Sequence, residues 1–130
     1  MSRSVECTPD RFAVTINQML AEVADGIRGG MEPVVRNACK TARKEARIKA
    51  PVLTGRYKKG FTYKIKGDGP SVYGEVGNRI KPGLVHLLEK GHATIGGGRV
   101  KAYPHMAPAA DVSFEVLERG IEDLVEEVLR

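Results

Sequence analysis

The stretch FTYKIKGDGPSVYGEVG, residues 61–77, decides the fold class. Phe61, Tyr63 and Ile65 alternate with Thr62, Lys64 and Lys66, the period-two pattern of a half-buried strand. Gly67, Asp68, Gly69 and Pro70 then form a dense turn signal. From Ser71 to Gly77 the alternation resumes, with Val72, Gly74 and Val76 opposite Tyr73 and Glu75. Two short strands around such a turn predict a β-hairpin.

Upstream of it the period changes to that of a helix. Thr8-Pro9-Asp10 supplies a capping hydroxyl, a proline with preset φ and an acid that suits the helix dipole. Apolar residues then recur in steps of three and four, at Phe12, Ile16, Met19, Leu20, Val23 and Ile27. The same phase continues through Met31, Val34, Val35, Ala38, Ala42 and Ala46. One long helix is predicted from about Pro9 to Lys49, kinked or briefly broken near Arg28–Pro33, where Gly29, Gly30 and Pro33 weaken it. Two separate helices are the alternative. Pro51 stops the run by forcing Ala50 out of the α region, and residues 51–55 form a turn. Tyr57 adds a large apolar position just before the hairpin.

Downstream, Pro82–Lys90 reads as a short helix stopped by Gly91. Ala93–Val100 contains Gly96, Gly97 and Gly98 and is expected to be a flexible surface loop. Arg99–Tyr103 is a candidate third strand. Pro104 and Pro108 bracket a turn, with Pro108 suited to the first position of a last helix. That helix carries Val112, Val116, Leu117, Ile121, Leu124, Val125 and Val128 on one stripe, with acids between them. The expected fold class is α+β: a long N-terminal helix, a small antiparallel sheet built on a hairpin, a short helix and a C-terminal amphipathic helix. A chain of 130 residues fits a single domain, residues 1–130.

Aromatic residues make up 5% of the chain and Trp is absent, so the core must rest on Val, Leu, Ile and Ala. Such a thin core gains stability by covering its surface with a partner. No stretch approaches the roughly eighteen apolar residues of a membrane span. The opening MSRSVECTPD lacks the apolar run of a secretory signal. Cys7 and Cys39 match no metal spacing and no disulfide framework. They read as free thiols in a reducing compartment, with Cys39 near a buried helix face and a Cys7–Cys39 bridge as the minor alternative.

The net charge is +5, but its distribution is more telling. Arg36–Lys66 holds eleven basic residues against the single acid Glu45, a net +10. From Ala107 onward seven acids face only Arg119 and Arg130, a net −5. This polarity suits a polyanion partner or head-to-tail contact between copies. Arg43, Lys44, Arg47, Lys58, Lys59, Lys64 and Lys66 are the candidate phosphate or subunit contacts. No recognised DNA-binding motif accompanies them, so nonspecific phosphate contact is the most they support.

An enzyme would have to be built from the histidines. His86 and Glu89 lie one turn apart on the short helix, His92 follows, and His105 can approach from the later turn. His and carboxylate are zinc ligands, which makes a metal-dependent hydrolase conceivable. The spacing matches no metalloprotease signature, and Gly91 ends the helix before His92. The plainer reading is a hydrogen-bonded pair that holds the short helix in place. Neither cysteine lies in a Gly-rich elbow, no serine sits in G-x-S-x-G, and the glycine run lacks the Lys-Ser/Thr of a phosphate loop. No catalytic, cofactor-binding or metal residue is therefore assigned.

Three stretches in order carry a resemblance. ARIKAPVLTGRY, residues 46–57, resembles a helix-ending A-P-V-x-T-G signature; LVHLLEKGH, residues 84–92, is similar to an x-L-L-E-x-G segment. YPHMAPA, residues 103–109, is close to a turn that precedes the last helix. Together they resemble the tail-component proteins of long-tailed bacteriophages and prophages, also called tail-completion or head–tail joining proteins. The resemblance is firm over roughly Ala46–Ala109, extends to the flanking helices by type, and leaves Gly96–Gly98 unmatched. It implies a non-enzymatic virion protein of the neck, assembled in the host bacterial cytoplasm and forming rings, commonly sixfold, through which DNA passes. Its partners would be copies of itself, a portal-side connector or stopper, and tail-tube or terminator proteins. In scaffold terms Pro51, Thr54 and Gly55 shape the turn after the long helix. Glu89 beside Gly91 sits where the helix dipole disfavours it, so it needs a cationic or backbone partner. His86, Pro104, His105 and Pro108 complete the structural set. A basic nucleic-acid-binding module is the alternative function.

Overall fold

The computed structural model describes residues 12–51 and 55–130, with backbone alone for 12–17 and Pro70. Cys7, the Thr8-Pro9-Asp10 start signal and Thr54 lie outside the described residues.

Helix α1 spans Phe12–Lys49, 38 residues with Pro33 inside. It is continuous through Gly29, Gly30 and Pro33, so the single long helix holds, without the brief break and without the two-helix alternative. One missing donor is outweighed by packing along the helix, because the pairing of α1 with the last helix is the most extensive in the fold. Arg47 and Lys49 sit in its last turn, where they complement the dipole. Past Gly55 the chain makes one helical turn, α2 (Arg56–Lys59). Tyr57 therefore lies on a helical turn just ahead of the hairpin. Lys59 N–H bonds Gly55 carbonyl at 3.3 Å, and Gly60 N–H bonds Tyr57 carbonyl at 3.0 Å.

Strands β1 (Phe61–Lys66) and β2 (Tyr73–Asn78) form the predicted hairpin, joined through a 3-10 turn at Gly69–Ser71. Their register pairs Phe61 with Asn78, Tyr63 with Val76 and Ile65 with Gly74. That face lies on α1: Tyr63, Ile65 and Val76 pack around Val35, Cys39, Val72, Met31 and Leu117. The buried Cys39 thiol is pushed up by its burial, with Arg36 opposing only in part.

Helix α3 (Leu84–Lys90) ends at Gly91. Gly91 has φ +70, and a Cβ there would run into Val100 carbonyl. Strands β3 (His92–Ala93) and β4 (Arg99–Val100) pair with each other and form a second two-stranded sheet. The proposed third strand, Arg99–Tyr103, thus shrinks to two residues and does not join the hairpin. Tyr103 N–H instead bonds Leu88 carbonyl at 2.6 Å, which ties this segment to α3.

Helix α4 covers Met106–Val128. It starts two residues before Pro108, whose absent N–H is harmless in a first turn. The helix runs back antiparallel along α1. Val128 lies over Gly26, Leu124 over Gly30, and Gly120 against Val34. Ser113 hydroxyl donates to Ala38 carbonyl at 2.8 Å. Small residues at Gly26, Gly30, Ala38, Ala42 and Ala46 lie on one every-fourth-residue row of α1, interrupted only by Val34, and allow this close approach. A Cβ on Gly120 would sit 2.9 Å from Val34 Cγ1.

The core is thin, as composition suggested. Among the described residues it holds two small clusters, one around Tyr57 and Phe61 and one around Val35 and Cys39. On the stripe of α4 every apolar residue from Val112 to Val128 is only half-buried. Leu20, assigned to the inward stripe of α1, is 62% exposed. No described helix is long and apolar enough to cross a membrane.

Candidate functional site

The polar side chains converge under the start of α4. An α-helix leaves its first N–H groups without partners, and here Glu89 of α3 meets them. Its Oε1 accepts from His105 N–H at 2.9 Å and Met106 N–H at 2.8 Å; Oε2 accepts from Ala107 N–H at 2.9 Å. The next residue is Pro108, which has no N–H to satisfy. The whole first turn is therefore capped by one carboxylate from another helix. Burial pushes the Glu89 carboxyl up, but the three backbone donors and nearby His105 outweigh it, so the group ends below its ordinary value.

His105 is the N-cap of α4 and is fully buried. Its Nδ1 lies 2.8 Å from Tyr103 carbonyl and 3.1 Å from Glu89 Oε1. Both are acceptors, so Nδ1 carries the proton. Nε2 then accepts from the Tyr57 hydroxyl at 2.6 Å. The phenol is pushed up to about 12 by burial, reinforced by the Glu89 charge. Tyr57, Phe61 and His105 also meet edge to face, with ring centres 5.1 to 5.7 Å apart. Asn78 Nδ2 donates to Tyr57 carbonyl at 2.6 Å, while its Oδ1 accepts from Ile80 and Lys81 N–H. One network thus joins α2, β2, α3 and α4.

Chemically this is a clamp. Both nitrogens of His105 and both oxygens of Glu89 are committed to hydrogen bonds, and the centre is closed to solvent. Among the described residues no group of three or more His, Cys, Asp or Glu is placed to hold a metal ion. His86, offered as Glu89's partner, is exposed; Glu89 pairs with His105 instead. The reason is that α4's unpaired donors attract the carboxylate more strongly than a solvated imidazole would. His92 is half-buried, with Nδ1 enclosed and unpartnered. Pro51 is half-buried beside Ala50, Gly55 takes φ +83 as expected of that turn, Gly91 closes α3, and Pro104 is exposed. Tyr57 and Asn78 were not singled out as site residues. Asn78, which closes a strand ahead of Arg79 and Ile80, carried the ordinary signal of an Asx turn.

The basic candidates do not form one patch. Arg43 stacks over the Tyr63 ring at 4.8 Å. Arg47 donates to Phe61 carbonyl at 2.9 Å and lines a shallow pocket with Lys58 and Lys59. Lys64 and Lys66 lie on the outer face of the hairpin, where Lys66 pairs with Glu75 at 3.1 Å. Lys44 is exposed.

The clamp has a further property. Tyr57 belongs to the first family-like stretch, Glu89 to the second and His105 to the third, so three distant segments meet at one point. A family described as "Bacteriophage HK97-gp10, putative tail-component" matches residues 1–91. The chain belongs to the HK97-gp10-like family. The match takes in α1, the hairpin and α3 and ends before β3, so the YPHMAPA stretch and α4 lie beyond it. No curated protein and no solved structure matches the chain. Membership makes this a phage tail-component type of protein; in this chain the clamp holds the last helix in place.

Proposed function

We propose that the protein acts without catalysis as a neck component that joins tail to head by forming a ring with copies of itself. The carrying observation is the half-covered stripe of α4, Val112 to Val128. That face packs on α1 without being sealed by it, and Phe114 beside it is 64% exposed, which leaves apolar surface for a neighbouring subunit to cover. Charge supports the same reading, since the acidic α4 and the basic region from α1 into the hairpin are complementary surfaces on one chain. Portal-side and tail-side proteins would occupy the two faces of the ring. Deleting the gene from its phage or prophage is expected to yield filled heads and free tails that fail to join. Intact infectious virions from the deletion would overturn the proposal.

A second reading has its own observation. Lys44, Lys58, Lys59 and Lys64 make no ion pair with other described residues, which leaves their charge free for phosphate. On this reading the basic surface touches DNA passing through the ring. Binding to random duplex DNA should then weaken steeply as salt rises. Affinity unchanged between low and physiological salt would remove it.

A further inference from the structure

We propose that the β3–β4 loop of one copy seats Ile95 in an apolar groove between α1, β2 and α4 of a second copy. This rests on the self-assembly reading and names its contact. Ile95 is fully exposed at the tip of a closed loop. Thr94 N–H bonds Gly98 carbonyl at 2.8 Å and Gly97 N–H bonds Thr94 carbonyl at 3.2 Å. The loop therefore presents one branched aliphatic side chain on a narrow stem, with three glycines beside it and no bulky neighbour to block insertion.

The receiving surface is a groove of about 210 Å³ lined by Val35, Cys39, Val76, Met106, Phe114 and Leu117, among others. An apolar cavity of about 150 Å³ already admits a benzene ring, so one isoleucine fits. Phe114 stands at the edge of the groove with 64% of its surface exposed, an aromatic wall open to a second molecule. The charges match across the contact. From Lys90 to Lys101 the sequence holds Lys90, Arg99 and Lys101 and no acid. Around Phe114 stand Asp111, Glu115 and Glu118, of which Asp111 and Glu118 share its helix face. These three acids form no ion pair among the described residues. Tip and groove are different patches, so each copy gives one contact and receives another. Such a head-to-tail contact closes into a ring when its rotation allows.

The test uses the full-length chain in sedimentation velocity over a wide concentration range. Ile95→Asp is expected to weaken association by about tenfold or more, the loss of one buried isoleucine, with an unchanged thermal melt because Ile95 touches nothing in its own subunit. Arg99→Glu and Glu118→Arg should each weaken assembly, and the double variant should recover it. In a Cys7→Ser, Cys39→Ala background, which removes both native thiols including the one that lines the groove, an oxidised mixture of Ile95→Cys and Phe114→Cys chains should give disulfide dimers that neither gives alone. An Ile95→Asp variant that associates as well as wild type overturns the docking and leaves ring formation standing. Ile95→Cys chains that link mainly to themselves overturn it in favour of a symmetric tip-to-tip contact. A wild-type chain that stays monomeric throughout overturns the docking and the ring reading together.

Discussion

At the scale of single residues the protein depends on Glu89. Replacing it with Gln leaves one oxygen for three N–H groups and turns an amide donor toward others. A loss of about 1–3 kcal/mol is expected, read as a lower denaturation midpoint. The effect has a pH signature. The folded carboxyl lies below its ordinary 4.5, so its stabilisation is complete above that value and is lost as pH falls through the folded pKa. The gap between wild type and Glu89→Gln should close in acid; a gap constant from pH 7 to pH 3 would contradict the clamp. Tyr57 gives the opposite limb. Its phenol, raised to about 12, contributes stability that is full below its ordinary value of 10.0 and is lost as pH rises through the folded pKa. Ultraviolet titration should show a tyrosine step near 12, and Tyr57→Phe should abolish that step.

At the scale of elements, the closeness of α1 and α4 decides what each glycine tolerates. Gly30 faces Leu124, whereas nothing lies within 4 Å of the place a Cβ would take on Gly29. Gly30→Val should therefore cost about 1–3 kcal/mol through overpacking. Gly29→Ala should gain about 0.5–1 kcal/mol, the backbone entropy that glycine loses in a helix. Adjacent residues with effects of opposite sign, measured by urea denaturation, would test the helix register directly. The same closeness explains the continuity of α1 through Pro33. A helix with a partner along its length keeps one missing hydrogen bond that an isolated helix would not.

At the scale of the whole molecule, two opposite charges and two unfinished apolar surfaces belong to one chain. Self-association should weaken as salt is raised from 50 to 500 mM, because acidic α4 would meet basic surface across the contact and salt screens exposed pairs. A light-scattering mass unaffected by salt would leave apolar contact alone responsible. The clamp has a role at this scale as well. By capping the first turn of α4 from α3, it fixes the direction of a helix whose outer side is still uncovered, and so presents a defined face to a neighbour.

The order of elements was legible in the sequence because it follows from local periods: steps of three and four for α1 and α4, steps of two for the hairpin, and glycine or proline at their ends. Phe61, Tyr63 and Ile65 turned inward as that alternation requires. The need of Glu89 for a partner was legible too, since a carboxylate near a helix end is poorly placed there. The identity of that partner was not, because His105 lies sixteen residues away and meets Glu89 only once α4 is docked. The same reason hid α2 and the pairing of β3 with β4, whose segments are too short to carry a period. Local spacing determines which face of an element is apolar. Which faces meet, and which remain open for another molecule, depends on contacts between residues far apart in the chain, and only the tertiary structure decides those.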